Sequence, residues 1–484
     1  MTFGIPHFAH MFHFAYRKKK IAKETPLALF EKLRGEYSAL LYSGQNEKGV
    51  YSGRYSYIGY EPFMLFESKH GAQEISSIQY DADGTTREVQ VCGGEPLEVF
   101  KAIYDQLGVK VIEKDLPPFI GGAMGLMSYD FGLSLHGIKH TTTDDLEIPD
   151  MFYGFYDKVV AFDHEMKDLY FFGLGETKAQ AQAIAEEVYK DATKGLSYEQ
   201  DAPKKGSQKR SKDLNMYLSK DDYFKKLVEI KKHLVDGESY QVNFSHRFSY
   251  ETSDDAWDIF TRLAKINPSP FSCYFEHPEF IVISSSPEKL VTVHDGLIET
   301  KPIKGTRARG KTSTEDRAAE KNLLESKKDE AELTMIVDLM RNDLGMVCEP
   351  KTVKVLDHRL VERYSHVMHT VSTIQGKLKK GKSLVDLVQA VFPGGSVTGA
   401  PKKRTMEIIA KLEDFHRDVY CGSAGYFSVS GNMAMNILIR TMLYRFGDVY
   451  FHSGGGIVVD SDPSAEFDES LDKAQALLEA LLGV

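Results

Sequence analysis

Four acidic residues in the C-terminal half of the chain form two pairs with helical spacing. Asp329 and Glu332 lie in the stretch 322–344, whose apolar residues recur at helical intervals, so both acids share a helix face with core-directed aliphatic residues. Glu466 and Glu469 have the same spacing, although acids in a first helical turn also complement the helix dipole without any ligand. Two acid pairs on distant helices provide the oxygen ligands that Mg²⁺ prefers. The spacing leaves a magnesium site and ordinary helix-start acids as alternatives.

A lysine and a glutamate are spaced so that one could act as a nucleophile and the other as a general acid. Lys304 stands between isoleucine and glycine in the run 302–310, after the β-type stretch 297–300. We expect it at a strand-to-loop junction, where catalytic groups are often displayed. Most loop lysines are solvated charges, but a buried lysine near other cations can lose its proton and become a nucleophile. Glu288 follows the apolar stretch 280–283, so a strand, a turn and a second strand could bring it close to Lys304.

Three glycines and an arginine are candidate anion-binding groups. Gly454, Gly455 and Gly456 follow a β-rich stretch, and their lack of a Cβ atom would let backbone amides approach a ligand. Glycines at the end of a strand are also typical of a plain turn. Arg440 lies in the apolar stretch 434–443, predicted as one strand, where an arginine needs a partner such as a bidentate carboxylate. That carboxylate could belong to a substrate or to a structural salt bridge.

The elements that must position these groups mix strands and helices without a regular βα alternation, which disfavours a doubly wound sheet or a TIM barrel. The last helix should begin at Pro463, with Asp462 as its N-cap. Within the first half, 54–60 and 151–162 are β-rich and 178–192 is typical of a helix. The predicted segments are an N-terminal extension (1–25), a mixed region (26–196), an exposed polar connection (197–216) and a C-terminal domain (217–484).

The composition excludes several classes of protein. A net charge of −10 and a pI near 5.9 disfavour a nucleic-acid-binding protein, which needs a basic surface to neutralise phosphates. No stretch approaches the roughly 20 apolar residues that span a bilayer, and the opening segment lacks the basic start of a signal peptide. The cysteines are too few and too scattered for a disulfide framework, so we expect reduced thiols in a cytoplasmic enzyme; they are Cys92, Cys273, Cys348 and Cys421.

A series of longer motifs extends this pattern along the chain, at 237–243, 286–288, 302–310, 335–344, 392–402, 420–426 and 454–469. In sequence and order these motifs resemble the chorismate-utilising enzymes, the family of anthranilate, aminodeoxychorismate, isochorismate and salicylate synthases. The resemblance covers nearly the whole chain, weakly before residue 200 and densely from 237 to 474. It implies an α+β fold like that of anthranilate synthase component I, a large β-sandwich of two sheets with surrounding helices. Segments 26–196 and 217–484 would share one core, with the chorismate-binding catalytic domain in 217–484.

By position, the resemblance implies a magnesium-dependent active site. Glu332 and Glu469 match direct Mg²⁺ ligands, while Asp329 and Glu466 match acids that hold metal-bound water. The implied catalytic residues are Lys304, Glu288 and His369. The implied substrate-binding residues are Gly305, Thr306, Ser396, Tyr420, Arg440, Gly454, Gly455, Gly456 and Lys473.

Two positions indicate which reaction the resemblance implies. Family members that add water to chorismate carry a lysine base where this chain has Gln241, so isochorismate and salicylate synthesis are disfavoured. Anthranilate synthases typically carry alanine where this chain has Lys304, whereas aminodeoxychorismate synthases share the lysine. The implied reaction is amination of chorismate to 4-amino-4-deoxychorismate, for p-aminobenzoate and folate synthesis. The alternative is the anthranilate synthase component I reaction of tryptophan synthesis.

The resemblance also implies two binding partners besides chorismate and Mg²⁺. No Cys-His-Glu glutaminase pattern is evident in the chain, so ammonia is expected from a separate glutamine amidotransferase subunit in a heterodimer. A tryptophan pocket occurs in part of the family. Its candidate residues here are Ser43, Arg54, Tyr55, Pro270, Phe271 and Ser272.

Overall fold

The computed structural model describes residues 12–45, 52–81, 84–109, 113–194, 214–310, 312–363 and 367–483. Most of the predicted polar connection (197–216) and the first part of the predicted extension (1–25) lie outside these residues.

In the described residues, the strands form two large antiparallel sheets. The strands are β1 (His13–Lys20), β2 (Ala39–Tyr42), β3 (Tyr55–Gly59), β4 (Met64–Lys69), β5 (Ala72–Asp81), β6 (Gly84–Gly93), β7 (Gly122–Met127), β8 (Met151–Tyr156), β9 (Lys158–Asp163), β10 (Asp168–Gly175), β11 (Asn215–Met216), β12 (Gln241–Glu251), β13 (Phe271–Glu276), β14 (Ile281–Ser286), β15 (Lys289–His294), β16 (Leu297–Thr300), β17 (Ile303–Ala308), β18 (Lys354–Arg363), β19 (Val367–Lys377), β20 (Gly399–Ala400), β21 (Ser423–Ser428), β22 (Met433–Asn436), β23 (Thr441–Arg445) and β24 (Asp448–Ile457).

The helices surround these sheets, and none in the described residues is both long and apolar enough to cross a membrane. Pro463 begins the last helix and Asp462 caps it by accepting a hydrogen bond from the Ala465 amide at 2.9 Å, which confirms the predicted start. The helices are α1 (Pro26–Leu33), α2 (Pro96–Tyr104), α3 (Tyr129–Leu135), α4 (Lys178–Thr193), α5 (Lys220–Val235), α6 (Ala256–Ile266), α7 (Ser313–Glu325), α8 (Lys327–Gly345), α9 (Leu384–Val391), α10 (Lys402–Leu412) and α11 (Pro463–Leu482).

Both sheets combine strands from the two halves of the chain. The first has the order β1-β10-β9-β3-β2-β13-β14-β23-β24-β12-β11, with β20 paired to β12. The second has the order β17-β19-β16-β15-β22-β21-β7-β8-β4-β5-β6, with β18 paired to β19. The halves join where Tyr42 lies opposite Ser272 and where Met127 lies opposite Ser423. A hydrophobic cluster includes residues of both sheets, so the predicted α+β fold of two sheets sharing one core is confirmed.

Strand β1 brings part of the predicted N-terminal extension into the first sheet. It pairs with β10 along its whole length. Lys18 and Lys20 both contact the buried carboxylate of Asp168, at 2.9 and 2.6 Å. The basic run is therefore an edge of the sheet and not an appended tail.

The single strand predicted over 434–443 is wrong. The stretch contains β22 of the second sheet and β23 of the first, and the chain crosses between the sheets at 437–440. Asn436 fixes the crossing, because its Nδ2 donates to the Phe271 carbonyl at 2.9 Å and its Oδ1 accepts from the Ala424 amide at 2.8 Å. Apolar periodicity does not reveal such a crossing, since Ile437 and Leu438 stay buried through it.

The helical stretch predicted over 322–344 is divided in two. Helix α7 ends at Glu325 and α8 begins at Lys327. Ser326 causes the division, because its side chain caps α8 by accepting a hydrogen bond from the Asp329 amide at 3.3 Å. Asp329 consequently lies in the first turn of α8.

Candidate active site

One cavity of about 720 Å³ gathers most of the predicted site residues. Its walls come from β12 and β24 of the first sheet, β17 and β19 of the second, and helices α8 and α11. Among the predicted catalytic, metal and substrate residues, all except Gly455 line it: Glu288, Lys304, Gly305, Thr306, Asp329, Glu332, His369, Ser396, Tyr420, Arg440, Gly454, Gly456, Glu466, Glu469 and Lys473.

The acid pairs face this cavity from two helices that are distant in sequence. Asp329 on α8 pairs with Arg307 on β17, whose Nη2 lies 3.0 Å from Asp329 Oδ2. On α11, Ser461 Oγ donates to Glu466 Oε1 at 2.6 Å. Burial raises the pKa of Glu466, and the charge of neighbouring Glu469 adds to the rise. Both predicted outer acids therefore have fixed protein partners.

The two predicted direct ligands contact lysines. Lys304 Nζ lies 3.7 Å from Glu332 Oε2, and Lys473 Nζ lies 2.8 Å from Glu469 Oε1. Burial opposes ionisation of Glu469, but the charge of Lys473 outweighs it and the pKa of that carboxyl group is lowered. Glu469 is thus held in the charged form that binds a cation.

The donor set fits Mg²⁺ in chemical type. Mg²⁺ takes hard oxygen ligands, usually one or two carboxylates, and keeps several waters. In the part of the chain that the structure describes, the sets of three ligating side chains with atoms within 4.8 Å of one another lie outside this cavity. The acids of this cavity are suited to magnesium by their chemical type alone, and magnesium stays a prediction.

Lys304 lies within β17 and not at the predicted strand-to-loop junction. Strand β17 pairs with β19, and a bulge between Lys304 and Thr306 shifts the register. Gly305 at the bulge has φ 74°, and a Cβ atom there would lie 2.9 Å from Leu323 Cδ1. Because a bulge re-aims side chains, Lys304 reaches the cavity with only 15% of its side chain exposed.

Glu288 is buried in the cavity wall, close to this lysine. Burial raises the pKa of its carboxyl group to about 7, although Ser396 and the charge of Lys304 oppose the rise. A carboxyl group with a pKa near neutrality can hold a proton at pH 7 and donate it. The fold therefore brings the candidate acid and the candidate nucleophile together.

His369 on β19 lies opposite Thr306 on β17. Thr306 Oγ1 and His369 Nδ1 are 2.7 Å apart. Burial, followed by the charge of Arg440, lowers the pKa of the imidazole to about 4. At neutral pH His369 is consequently an uncharged hydrogen-bonding group.

Arg440 is half-buried, and no acidic side chain is paired to it among the described residues. Its Nη1 donates to Asn267 Oδ1 at 3.1 Å, and burial lowers the pKa of the guanidinium. A half-buried guanidinium with donors to spare is stabilised by an incoming anion. Of the two alternatives left by the sequence, this position favours a substrate carboxylate.

The three glycines lie inside β24 and not in a turn after it. A Cβ atom on Gly454 would lie 2.0 Å from the Phe244 carbonyl oxygen of β12, so the sheet itself requires a glycine there. A Cβ atom on Gly455 would lie 3.3 Å from Glu466 Oε2. Lys473 Nζ donates to the Gly454 carbonyl at 3.1 Å. The glycines thus bring the strand backbone against the acids of α11.

Two cations and a histidine are among the cavity residues that were not predicted as site residues. Arg307 holds Asp329, and Lys328 Nζ lies 3.9 Å from Glu332 Oε1 one helical turn later. His452 is buried beneath the site, and its ring stacks on Tyr420 with 5.6 Å between ring centroids. Helical spacing could have identified Lys328, whereas no spacing rule marks His452.

A second cavity, of about 370 Å³, contains the candidate tryptophan pocket. Arg54 Nη2 is already paired with Asp163 Oδ2 at 2.8 Å. Pro287 and Ile303 line both cavities, each directly before a candidate catalytic residue. Tryptophan binding stays a prediction; the predicted residues that line this cavity are Ser43, Arg54, Tyr55, Pro270, Phe271 and Ser272.

Comparison with known proteins identifies the family that the chain resembles. A family model described as chorismate binding enzyme matches residues 61–479. Aminodeoxychorismate synthase component 1 of Bacillus subtilis is 36% identical over 474 residues, which cover 96% of this chain and 97% of that protein. Anthranilate synthase component 1 of Acetivibrio thermocellus is 36% identical over 475 residues, 95% of this chain and 93% of that protein. The crystal structure of anthranilate synthase component I from Streptococcus pneumoniae has a TM-score of 0.75 and 27% identity, covering 94% of this chain and 97% of that one. Equal identity to relatives with different activities leaves the choice between reactions to the site residues.

Proposed function

The chain belongs to the family of chorismate binding enzymes, and from this premise we propose that it aminates chorismate at C4 to give 4-amino-4-deoxychorismate. The observation that carries the proposal is the position of Lys304. Its amine reaches the cavity, 3.7 Å from Glu332 and beside the buried acid Glu288. A nucleophilic lysine is useful where the amine must replace a hydroxyl group on the same carbon, and direct attack of ammonia at C2, the anthranilate route, does not need one.

The first displacement joins Lys304 to the ring. The unprotonated amine attacks C2, the ring double bonds shift, and the C4 hydroxyl group leaves as water after Glu288 donates a proton to it. Glu288 suits this role because burial holds its pKa near 7. Arg440, which lines the cavity, is positioned to orient a substrate carboxylate during the attack.

The second displacement replaces the lysine with ammonia. Ammonia attacks C4, the double bonds shift back, and the bond between C2 and Lys304 breaks. The Glu288 carboxylate, ionised by the first step, takes the surplus proton from the new ammonium group. Chorismate and ammonia are thereby converted to the amine and water, and both side chains return to their starting states.

Two further features bear on the proposed reaction: the acids that would hold Mg²⁺, and Gln241, which stands where a hydrating enzyme needs a base. When Mg²⁺ is bound by Glu332 and Glu469, it supplies a positive charge that holds a substrate carboxylate. Gln241 is fully buried, and a Cβ atom on Gly456 would lie 2.4 Å from its Nε2. An amide packed against β24 has no basic group for activating water, so hydration of chorismate is not supported.

The identity of the product tests this proposal. The purified chain is incubated with chorismate, Mg²⁺ and ammonium, and products are separated and weighed by mass spectrometry. We expect 4-amino-4-deoxychorismate, which keeps the enolpyruvyl group. Fluorescent anthranilate would assign the chain to the alternative activity, and an isomer of chorismate formed without ammonium would assign it to hydration.

A further inference from the structure

A cluster of histidine and aspartate side chains lies outside the chorismate cavity, where α3 and its following loop meet the segment 413–418. The two segments are joined by backbone hydrogen bonds, from the Thr143 amide to the Asp414 carbonyl and from the His416 amide to the Thr143 carbonyl, both at 2.9 Å. The cluster therefore links the two halves of the chain. Its members are Asp130, His140, Asp144, His416 and Asp418.

The side chains form two overlapping sets of ligand atoms. One atom each of Asp130, His140 and His416 lie within 4.8 Å of one another, and so do atoms of Asp144, His416 and Asp418. The rings of His140 and His416 are 5.4 Å apart between centroids. His416 belongs to both sets, so it is the centre of the cluster.

The environment of the Asp418 carboxylate favours a bound cation. Asp418 is 4% exposed, and among the described residues nothing forms a hydrogen bond or an ion pair with its carboxylate. The nearby cations are already committed, Lys69 to Asp144 at 2.6 Å and Arg247 to Asp145 at 2.7 Å. A buried carboxylate without a partner is strongly unfavourable.

The fold nevertheless fixes Asp418 in place. Its backbone has φ 53°, a left-handed conformation that side-chain-bearing residues rarely adopt. Its amide donates to Asp130 Oδ2 at 2.8 Å, and its carbonyl accepts from the Tyr129 amide at 2.8 Å. Burial raises the pKa of both Asp130 and Asp418, and the charge of Asp130 adds to the rise at Asp418. The backbone thus holds the two carboxyl groups close together.

We propose that this cluster binds one divalent transition-metal ion of the Zn²⁺ class, centred on His416. Two imidazoles together with carboxylates favour Zn²⁺ over Mg²⁺ or Ca²⁺, which prefer oxygen ligands alone. Ser134 Oγ lies 2.8 Å from His140 Nε2 and can orient that ring, as outer hydrogen bonds do in metal sites. The side chain of His70, 67% exposed and 3.5 Å from Asp144, marks the side open to solvent.

The ion would connect the two halves of the chain next to the active site. Asp418 lies two residues before Tyr420, which lines the chorismate cavity. The cluster shares no residue with that cavity, so the ion would be structural and distinct from the magnesium proposed for the reaction.

Metal binding by three variants of the full chain tests this inference. Chelator-treated protein is titrated with Zn²⁺ against a chromophoric chelator in excess Mg²⁺, and with Co²⁺ as a spectroscopic probe. We expect one equivalent of Zn²⁺ to bind and Co²⁺ to give visible absorption bands. His416→Asn and the isosteric Asp418→Asn should weaken Zn²⁺ binding by at least about tenfold.

The matched control is His136→Asn, which removes a histidine at the end of α3 that belongs to neither ligand set. It should bind Zn²⁺ as the parent does, and circular dichroism checks that each variant is folded. Zn²⁺ should also raise the melting temperature of the parent and of His136→Asn, and not of the other two. Absence of Zn²⁺ binding by the parent, or equal affinity in Asp418→Asn, would overturn the inference.

Discussion

Lys304 and Glu288 share a cavity wall, and their environments affect the two groups differently. Glu288 is 7% exposed, and its lost hydration favours the neutral acid. The Glu332 carboxylate lies 3.7 Å from Lys304 Nζ and can pair with the lysine's charge. Binding of Glu332 to a metal ion would remove that pairing. The proposed reaction needs a protonated Glu288 and an unprotonated Lys304 at the same moment.

Replacing Lys304 with alanine should abolish formation of 4-amino-4-deoxychorismate, because the covalent route loses its nucleophile. The matched control is Lys301→Ala, which removes a lysine just before β17 that pairs with Glu362 and lines the second cavity. A wild-type sample quenched with chorismate and Mg²⁺ but no ammonia should carry added mass on the peptide containing Lys304. Undiminished product from Lys304→Ala, with no adduct in the wild type, would contradict the mechanism.

The pH dependence should report Glu288. Burial raises its pKa to about 7, so the fraction that holds a proton falls as pH rises through 7. With free ammonia held constant, this loss should offset the gain from the growing unprotonated fraction of Lys304, so kcat/KM should stop rising above about pH 7, since this parameter reports groups of the free enzyme. Glu288→Gln, which keeps the shape but carries no acidic proton, should lower kcat/KM by about 10²–10⁴-fold. A profile that still rises through pH 9 would exclude Glu288 as the acid.

At the scale of elements, helices α8 and α11 each bring one candidate metal ligand to the cavity. Glu469→Gln removes charge without changing volume, so the Mg²⁺ concentration that gives half-maximal activity should rise by more than about tenfold. Glu479→Gln on the same helix is the matched control, since Glu479 contacts Gln475 on the helix surface. Melting temperatures should match the parent in both variants. An unchanged Mg²⁺ requirement in Glu469→Gln would remove α11 from the metal site.

Some of these elements could be predicted from sequence because their signals are local. Asp462 and Pro463 define the start of α11 by capping, whatever the rest of the fold does. The break at Ser326 also has a local cause, but the apolar repeat continues across it and hides it. Helical spacing correctly placed the two members of each acid pair on the same helix.

The remaining features depend on contacts between strands that are distant in sequence. The glycines of β24 are explained by the approach of β12, and a local pattern of three glycines equally predicts a turn. The bulge that re-aims Lys304 exists only because β17 pairs with β19. Arg440 lies at a crossing between sheets, which a continuous apolar run does not mark. The sequence pattern therefore singled out these residues as candidates but could not predict the strand contacts that position them.

At the scale of the whole molecule, the cavity exists only when both halves of the chain are folded together. The first sheet contributes β24 and the second contributes β17, and each sheet is completed by strands from before residue 195. The acids, the lysine and the arginine therefore come from one core and not from a hinge between domains. A cavity built within one core suits the proposed chemistry on a ring, and the proposed reaction requires that ammonia reach it.

The four cysteines, which all lie in the part of the chain that the structure describes, do not have the environment of a glutaminase nucleophile. A glutaminase needs a thiol with a lowered pKa beside a base, whereas burial raises the pKa of Cys273 to about 12, of Cys348 to about 11 and of Cys421 to about 12. Burial raises the pKa of Cys92 as well.

The isolated chain should therefore use ammonium alone, with a rate that follows the concentration of free NH₃, and should be inactive with glutamine. Adding a glutamine amidotransferase subunit should confer glutamine-dependent product formation, measured by mass spectrometry with ¹⁵N-amide glutamine. The control is the same subunit after alkylation of its catalytic cysteine, which should leave ammonium-dependent activity intact and abolish the response to glutamine. Incorporation of ¹⁵N from glutamine by the isolated chain would contradict this prediction, because it would require activation of one of the four buried or half-buried thiols.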